Sequence, residues 1–270
     1  MTAFWCDDPR DVLVVSGVDA LTYLQSQISQ DIRNLGDDGT TYTFVLQPMG
    51  KVEALVRIHR RSAEEFVLDT DAGFGEALAK RLNRFKIRVK VEIIAVDWRC
   101  IAVRNVDAPV DGAVAAWGRA DAFDLLGPDV QPPSGIQPGT AADLERARVA
   151  AGWPAMGREI TDATIPAETG FVVALSVSFT KGCYPGQELV ERMDSRGSAA
   201  PRFVRRLHGF GTVAAGAELT HGGKVVGHLT TVADNTGGWS ALGIVARAVQ
   251  PGDTVTVADR DVTVEEVVAG

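Results

Sequence analysis

Cysteine is scarce in this chain. Its 270 residues include three, Cys6, Cys100 and Cys183. So odd and widely spaced a set gives no disulfide framework and fits reduced thiols in a cytoplasmic compartment. No CxxC pair occurs, and His59, His208, His221 and His228 fall in no metal-ligand spacing, so no structural zinc, self-contained iron–sulfur cluster or other metal is expected. No apolar run is long enough to cross a bilayer, and the N-terminus lacks the basic and apolar regions of a secretory signal, so no membrane association is expected. Positive charge is in deficit, with 27 Lys and Arg against 35 Asp and Glu and a net charge of −8. Such a balance argues against stable binding to nucleic acid or anionic membrane.

Hydrophobic residues at 46% and charged residues at 23% are the proportions of a folded chain rather than a disordered one. The length calls for two or three packed units. Apolar runs at 11–16, 40–46, 52–59 and 65–69 read as strands, the second and third joined by the turn Gln47-Pro48-Met49-Gly50. Asp19 can cap a helix that runs through Leu21, Leu24, Ile28 and Ile32. A second helix carries Phe74, Leu78, Leu82 and Phe85, and a third covers 140–151. Ile87, Val89, Val91 and Ile93 alternate with charged residues, which predicts a half-buried strand placing Lys86, Arg88 and Lys90 on one face as an anion or partner patch, or a solvated strand face. Residues 100–103 and 172–179 also read as strand. From Phe203 onward, short strand-like pieces recur between Gly-rich turns, the pattern of a small antiparallel β-barrel.

One segment stands out chemically: Lys181-Gly-Cys-Tyr-Pro-Gly-Gln-Glu188. Pro185 suits the first turn of a helix ending near Gly197, which would put Cys183 beside the positive end of the helix dipole. Lys181 is a possible stabiliser of a thiolate there. The alternative is an inert, buried cysteine in a Gly-rich turn.

This segment resembles the K-G-C-Y-x-G-Q-E signature of the YgfZ family of folate-binding proteins, relatives of the glycine-cleavage T-protein, an aminomethyltransferase. The run from Gly17 to Asp31, the pieces Arg148–Gly152, Gly157–Ile160 and Ile165–Glu168, and Gly227–Thr230 with Ala241–Ile244 are similar to further family segments, so the resemblance covers nearly the whole chain.

The resemblance implies an α+β fold, a three-domain T-protein-like ring around a central folate channel, with a C-terminal antiparallel β-barrel. Residues 1–48 and 134–201 would form the folate-binding domain, 49–133 an inserted α+β domain and 202–270 the barrel. It also implies tetrahydrofolate or a related reduced folate as cofactor. The function implied is assembly or repair of iron–sulfur clusters in client enzymes, including tRNA-modifying radical enzymes, by a cytoplasmic monomer with a working thiol at Cys183. Partners would be iron–sulfur client enzymes or assembly proteins. Candidates for holding folate are Glu168, Tyr184, Gln187, Glu188 and Arg148, with Glu145 and Glu159 as further carboxylates for the pterin donor pair. The T-protein's catalytic aspartate has no counterpart: Glu53, Ala54 or Leu55 stands there, and Ala150 replaces its pterin-binding glutamate. Alternatives are an active aminomethyltransferase or demethylase and a non-catalytic folate-binding scaffold or sensor.

Overall fold

The computed structural model describes residues 2–195 and 200–268; the helix stop expected at Gly197 lies outside them. In chain order the first elements are β1 (Phe4–Asp7), β2 (Arg10–Ser16), α1 (Ala20–Gln27), β3 (Thr40–Leu46), β4 (Val52–Arg60), β5 (Glu65–Asp71), α2 (Gly75–Arg84) and β6 (Glu92–Val96). They are followed by β7 (Arg99–Arg104), β8 (Val114–Ala115), β9 (Ala122–Gly127), β10 (Gln137–Pro138), α3 (Ala141–Ala151), a 3-10 turn (Pro166–Thr169), α4 (Val172–Ser176) and α5 (Gln187–Ser195). The remaining strands are β11 (Arg202–Phe210), β12 (Glu218–His221), β13 (Lys224–Asn235), β14 (Gly238–Ala246), β15 (Thr254–Val257) and β16 (Arg260–Glu265). Among the described residues no helix is long and apolar enough to cross a membrane.

Three sheets organise the chain: one in the order β3-β4-β5-β2-β6, a second in the order β10-β1-β7-β9-β8, and a closed barrel β11-β14-β13-β12-β15-β16. Strands β3, β4 and β5 of the first sheet are buried on both faces. Side chains alternate across a strand, so Phe44 and Leu46 enter one core while Val45 enters another. The second of these cores also takes Tyr23 and Leu24 from α1 and Leu78 and Leu82 from α2. Burial on two sides explains why β3 and β4 read as nearly unbroken apolar runs. Helix α3 opens with a capping box: Asp143 N–H donates to Thr140 Oγ1 at 3.2 Å and Thr140 N–H to Asp143 Oδ2 at 2.8 Å.

A buried ionic chain joins the first sheet to the second. Arg57 on β4 donates from Nε to Asp69 on β5 at 2.8 Å and from Nη1 to Asp124 on β9 at 2.6 Å. Arg104 on β7 donates to the other oxygen of Asp124 at 2.8 Å, and Arg10 on β2 to Asp69 at 2.9 Å. Arg57 and Arg104 are each 1% exposed. Burial alone would push the Asp124 carboxyl up, but the Arg104 and Arg57 guanidiniums outweigh it and hold the group down at about 2.

Several local expectations change. Helix α1 ends at Gln27; Ile28 instead bridges to Val45, and Ile32 is buried beyond the helix. The expected strand from Ile87 is confined to residues 92–96. Arg88 adopts a left-handed φ of 58°, which breaks the alternation, so Lys86, Arg88 and Lys90 do not share a strand face. The backbone there is held instead by Asp19, whose carboxylate accepts from Lys90 N–H at 2.7 Å; Asp19 makes no side-chain cap to α1. Residues 172–176 form helix rather than strand, a short apolar run whose period is ambiguous. The hairpin β3–β4 pairs across the junction at 48/49, so hydrogen bonding continues between 1–48 and 49–133.

Asp124→Asn removes one charge from a network in which both guanidiniums are buried. Breaking such a pair costs about 3–5 kcal/mol, and we expect a loss of that size in urea unfolding. A change under about 1 kcal/mol would mean the network does not join the sheets energetically.

Candidate functional site

Cys183 is exposed, whereas Cys6 and Cys100 are buried. Its loop is clamped to the end of α1: the Lys181 ammonium donates to the carbonyl oxygens of Gln25 at 2.7 Å, Ile28 at 2.6 Å and Gln30 at 3.1 Å. All three N–H donors are thereby committed to carbonyls, and cations are favoured at a helix C-terminus. Lys181 therefore anchors the loop through its backbone acceptors instead of pairing with the sulfur. Burial pushes its pKa down to about 8. The ammonium also lies 5.1 Å from the centre of the buried Tyr184 ring.

Two glycines permit the other contact of the loop. A Cβ on Gly186 would lie 2.5 Å from the Gln47 carbonyl oxygen, and one on Gly50 would lie 2.5 Å from Leu189 Cβ. The turn between β3 and β4 thus packs directly against the start of α5, and both glycines hold left-handed φ values, 84° and 83°. Tyr184 N–H donates to Gln187 Oε1 at 2.9 Å, closing the turn. Tyr184, Pro185 and Gly186 stand between Cys183 and α5, so the thiol lies outside the first helical turn, where the dipole effect has faded.

Most residues expected to hold a pterin are committed elsewhere. Glu159, buried, accepts from Arg148 Nη1 and Ala155 N–H at 2.9 Å each, and from Thr230 at 2.6 Å and Thr231 at 2.7 Å on β13. Glu168, also buried, accepts from Arg202 Nε at 2.9 Å and from Ile165 N–H at 3.2 Å. Gln187 closes the turn described above, and the exposed Glu188 pairs with Arg192 at 3.1 Å. Glu145 accepts from Arg148 Nε at 2.9 Å and also meets Arg158. At the position of the T-protein aspartate, Glu53 lies 3.3 Å from Arg81 Nε, and Ala54 and Leu55 are core.

A cavity of about 280 Å³ does gather polar and aromatic groups: Asp8, Arg10, Asp71, Trp117, Arg148 and Trp153 are among its walls. Of the residues expected from the sequence, Arg148 and Glu145 line it; Glu168, Tyr184, Gln187, Glu188 and Cys183 do not. Asp71 is occupied by Arg10 and by Met156 N–H at 2.7 Å. The Asp8 carboxylate accepts no hydrogen bond from any described residue. Burial pushes its pKa up to about 6 against the opposing pull of Arg10. Trp117 has a left-handed φ of 57°, a strained state for a bulky residue. It is held by its N–H to Tyr42 Oη at 2.9 Å and by the Arg104 guanidinium 3.9 Å from its ring centre. The Tyr42 and Trp153 ring centres are 4.5 Å apart.

Comparison with known proteins places this geometry. No family model matches the chain. The iron–sulfur cluster assembly factor IBA57 homologue of Pyricularia oryzae is 30% identical over 217 residues, covering 72% of this chain and 54% of that protein. The tRNA-modifying protein YgfZ of Enterobacter sp. (strain 638) is 25% identical over 220 residues, 71% of this chain and 67% of that one. The chain is a homologue of the YgfZ and IBA57 proteins. It spans about half the length of the IBA57 relatives and about two thirds of the YgfZ relative. The glycine cleavage system aminomethyltransferase T of Bartonella henselae superimposes with a TM-score of 0.81 at 18% identity, over 97% of this chain and 84% of that one. The YgfZ-like chain therefore has the T-protein fold, with a C-terminal closed barrel.

A pterin fits the chemistry of this cavity. Its amidine edge offers two parallel donors, which one ionised carboxylate accepts, and Asp8 is a carboxylate without a partner. Trp117 and Trp153 supply flat apolar surface for a bicyclic ring. Sequence reading passed over all three. Asp8 sits in what reads as an exposed terminus, and nothing in the spacing of Trp117 and Trp153 shows that Tyr42 brings them together.

Lys181→Met strips the partner from three carbonyls and should cost about 1–3 kcal/mol in chemical unfolding; an unchanged midpoint would show that the clamp is not structural. For Asp8 the folded pKa, about 6, exceeds the ordinary aspartate value of 3.8. The folded state holds a proton that the unfolded chain has released, so Asp8 makes stability fall as pH rises from about 4 to 6. Asp8→Asn should flatten that fall in thermal midpoints; an unchanged pH profile would contradict the burial of this group.

Proposed function

We propose that this chain is a reduced-folate-binding factor that supports the assembly or repair of iron–sulfur clusters in client enzymes, including enzymes that modify tRNA. The observation that carries the folate reading is the unpartnered Asp8 carboxylate facing a cavity walled by Trp117 and Trp153. The names of the homologues support the cluster and tRNA roles. Asp8 would accept the pterin donor pair, Trp117 and Trp153 would bracket the ring, and Arg148 would complete the wall. Tetrahydrofolate would supply or accept a one-carbon unit there.

Cys183 serves as the working thiol. It is exposed, and its loop is pinned by Lys181 at one end and by the glycine contact at the other. A pinned loop presents the sulfur to a partner's surface at little entropic cost. Because Cys183 does not line the folate cavity, the thiol and the pterin act from separate places. An aminomethyltransferase would need Glu53 as its carboxylate, and Glu53 is held beside Arg81 and does not line the cavity. Turnover of tetrahydrofolate with an aminomethyl donor is accordingly not expected.

Cells lacking the native gene should regain iron–sulfur enzyme activity with the wild-type chain and with Cys6→Ala, and should lose most of that rescue with Cys183→Ala. Full rescue by Cys183→Ala would count against a thiol role.

A further inference from the structure

Five arginines are buried among the described residues: Arg57, Arg81, Arg104, Arg148 and Arg205. Four of them have a carboxylate within ion-pair distance: Arg57 and Arg104 share Asp124, Arg81 has Glu53, and Arg148 has Glu145 and Glu159. Arg205 on β11 is 7% exposed, and its guanidinium makes no hydrogen bond with any described residue; its Nε is buried and unsatisfied. Leaving a charged donor buried and unpaired is unfavourable, so such a group marks either strain or a site for a ligand.

The surroundings of Arg205 favour a ligand. It lines an open groove of about 840 Å³ between the 3-10 turn, the first strand of the barrel, the 247–250 turn and the chain's last described residues. That size is in the range of small-molecule sites. Its walls are apolar at Phe171, Phe203, Val267 and Val268. The guanidinium carbon stands 4.8 Å from the centre of the Phe203 ring, which fixes the fork against an aromatic face. Among the described residues that line the groove, Arg205, Arg247 and Glu266 are charged. Glu266 is exposed at the rim, where it would repel a doubly charged ligand more than a singly charged one.

We propose that this groove is a second binding site, distinct from the cavity at Asp8, which takes a small monocarboxylate carried on an apolar or aromatic body, the carboxylate forked by Arg205 and the body resting on Phe171 and Phe203. A planar guanidinium binds a carboxylate through two parallel N–H donors. The groove shares no lining residue with the cavity at Asp8, and the inference does not rest on the folate reading.

The test is calorimetric titration of the full chain with benzoate, with benzyl alcohol and inorganic phosphate as separate probes. Benzoate should bind with a dissociation constant of order 1 mM, more tightly than either other probe. Arg205→Met should weaken benzoate about tenfold or more while leaving the thermal midpoint of the free protein unchanged or higher, since it removes an unpaired buried charge. Val268→Asp, at an exposed wall, should weaken benzoate without disturbing the core and is an independent check on where the ligand's body rests. The proposal is overturned by the absence of benzoate binding at about 10 mM, by phosphate or benzyl alcohol binding as tightly, or by benzoate affinity unchanged in Val268→Asp or in Arg205→Met. A lowered midpoint in Arg205→Met would likewise overturn it, by assigning Arg205 a structural role.

Discussion

The contact between Arg57 and Asp124, 2.6 Å long and buried, is the point on which the arrangement of the two sheets turns. Each partner is satisfied a second time within its own sheet, Arg57 by Asp69 and Asp124 by Arg104. The geometry matters more than the count of charges. Two buried ions with matched partners offset their desolvation, and any misalignment of the sheets would leave several charges unpaired at once. The network extends through Asp69 to Arg10 and from there to Asp71, which reaches the wall of the Asp8 cavity. Through Arg104 it also supports the Trp117 ring. The same electrostatic structure that aligns the sheets therefore shapes the cavity.

A comparable junction fixes α3 to the barrel. Arg148 and Glu159 meet each other and both bond Thr231 on β13, over a core of Val149, Val204, Leu242 and Ile244. This accounts for the family-like segments around Arg148 and Glu159. Their residue types are demanded by a buried polar junction that has to be fully satisfied. Glu145, Glu159 and Glu168 accept from arginines of this chain, whereas Asp8, which accepts from no described residue, lies elsewhere.

Much of the fold was legible because its signals are local. Strands β3, β4 and β5 announce themselves by apolar runs between turns, α3 by its periodicity, and the barrel by short strands between glycines. The signature around Cys183 also identified the relatives. Errors arose where a long-range contact overrides local preference. Asp19 captures the backbone at Lys90, so residues 87–91 do not extend as a strand. Ile28 leaves the helix to bridge Val45. For Lys181, expected as a possible thiolate stabiliser, long-range contacts again decide the local geometry: carbonyls distant in sequence take its donors. The cavity itself was invisible, since Asp8, Trp117 and Trp153 come from separate stretches and meet through Tyr42 and the ionic network.

The account's central claim is that Asp8 receives the pterin edge. It is tested most directly by calorimetric titration of tetrahydrofolate into the wild-type chain and Asp8→Asn at neutral pH, where Asp8 is ionised. Losing a charged, two-point hydrogen-bond acceptor should weaken binding about tenfold or more. Equal affinities, or no binding to the wild type, would contradict it.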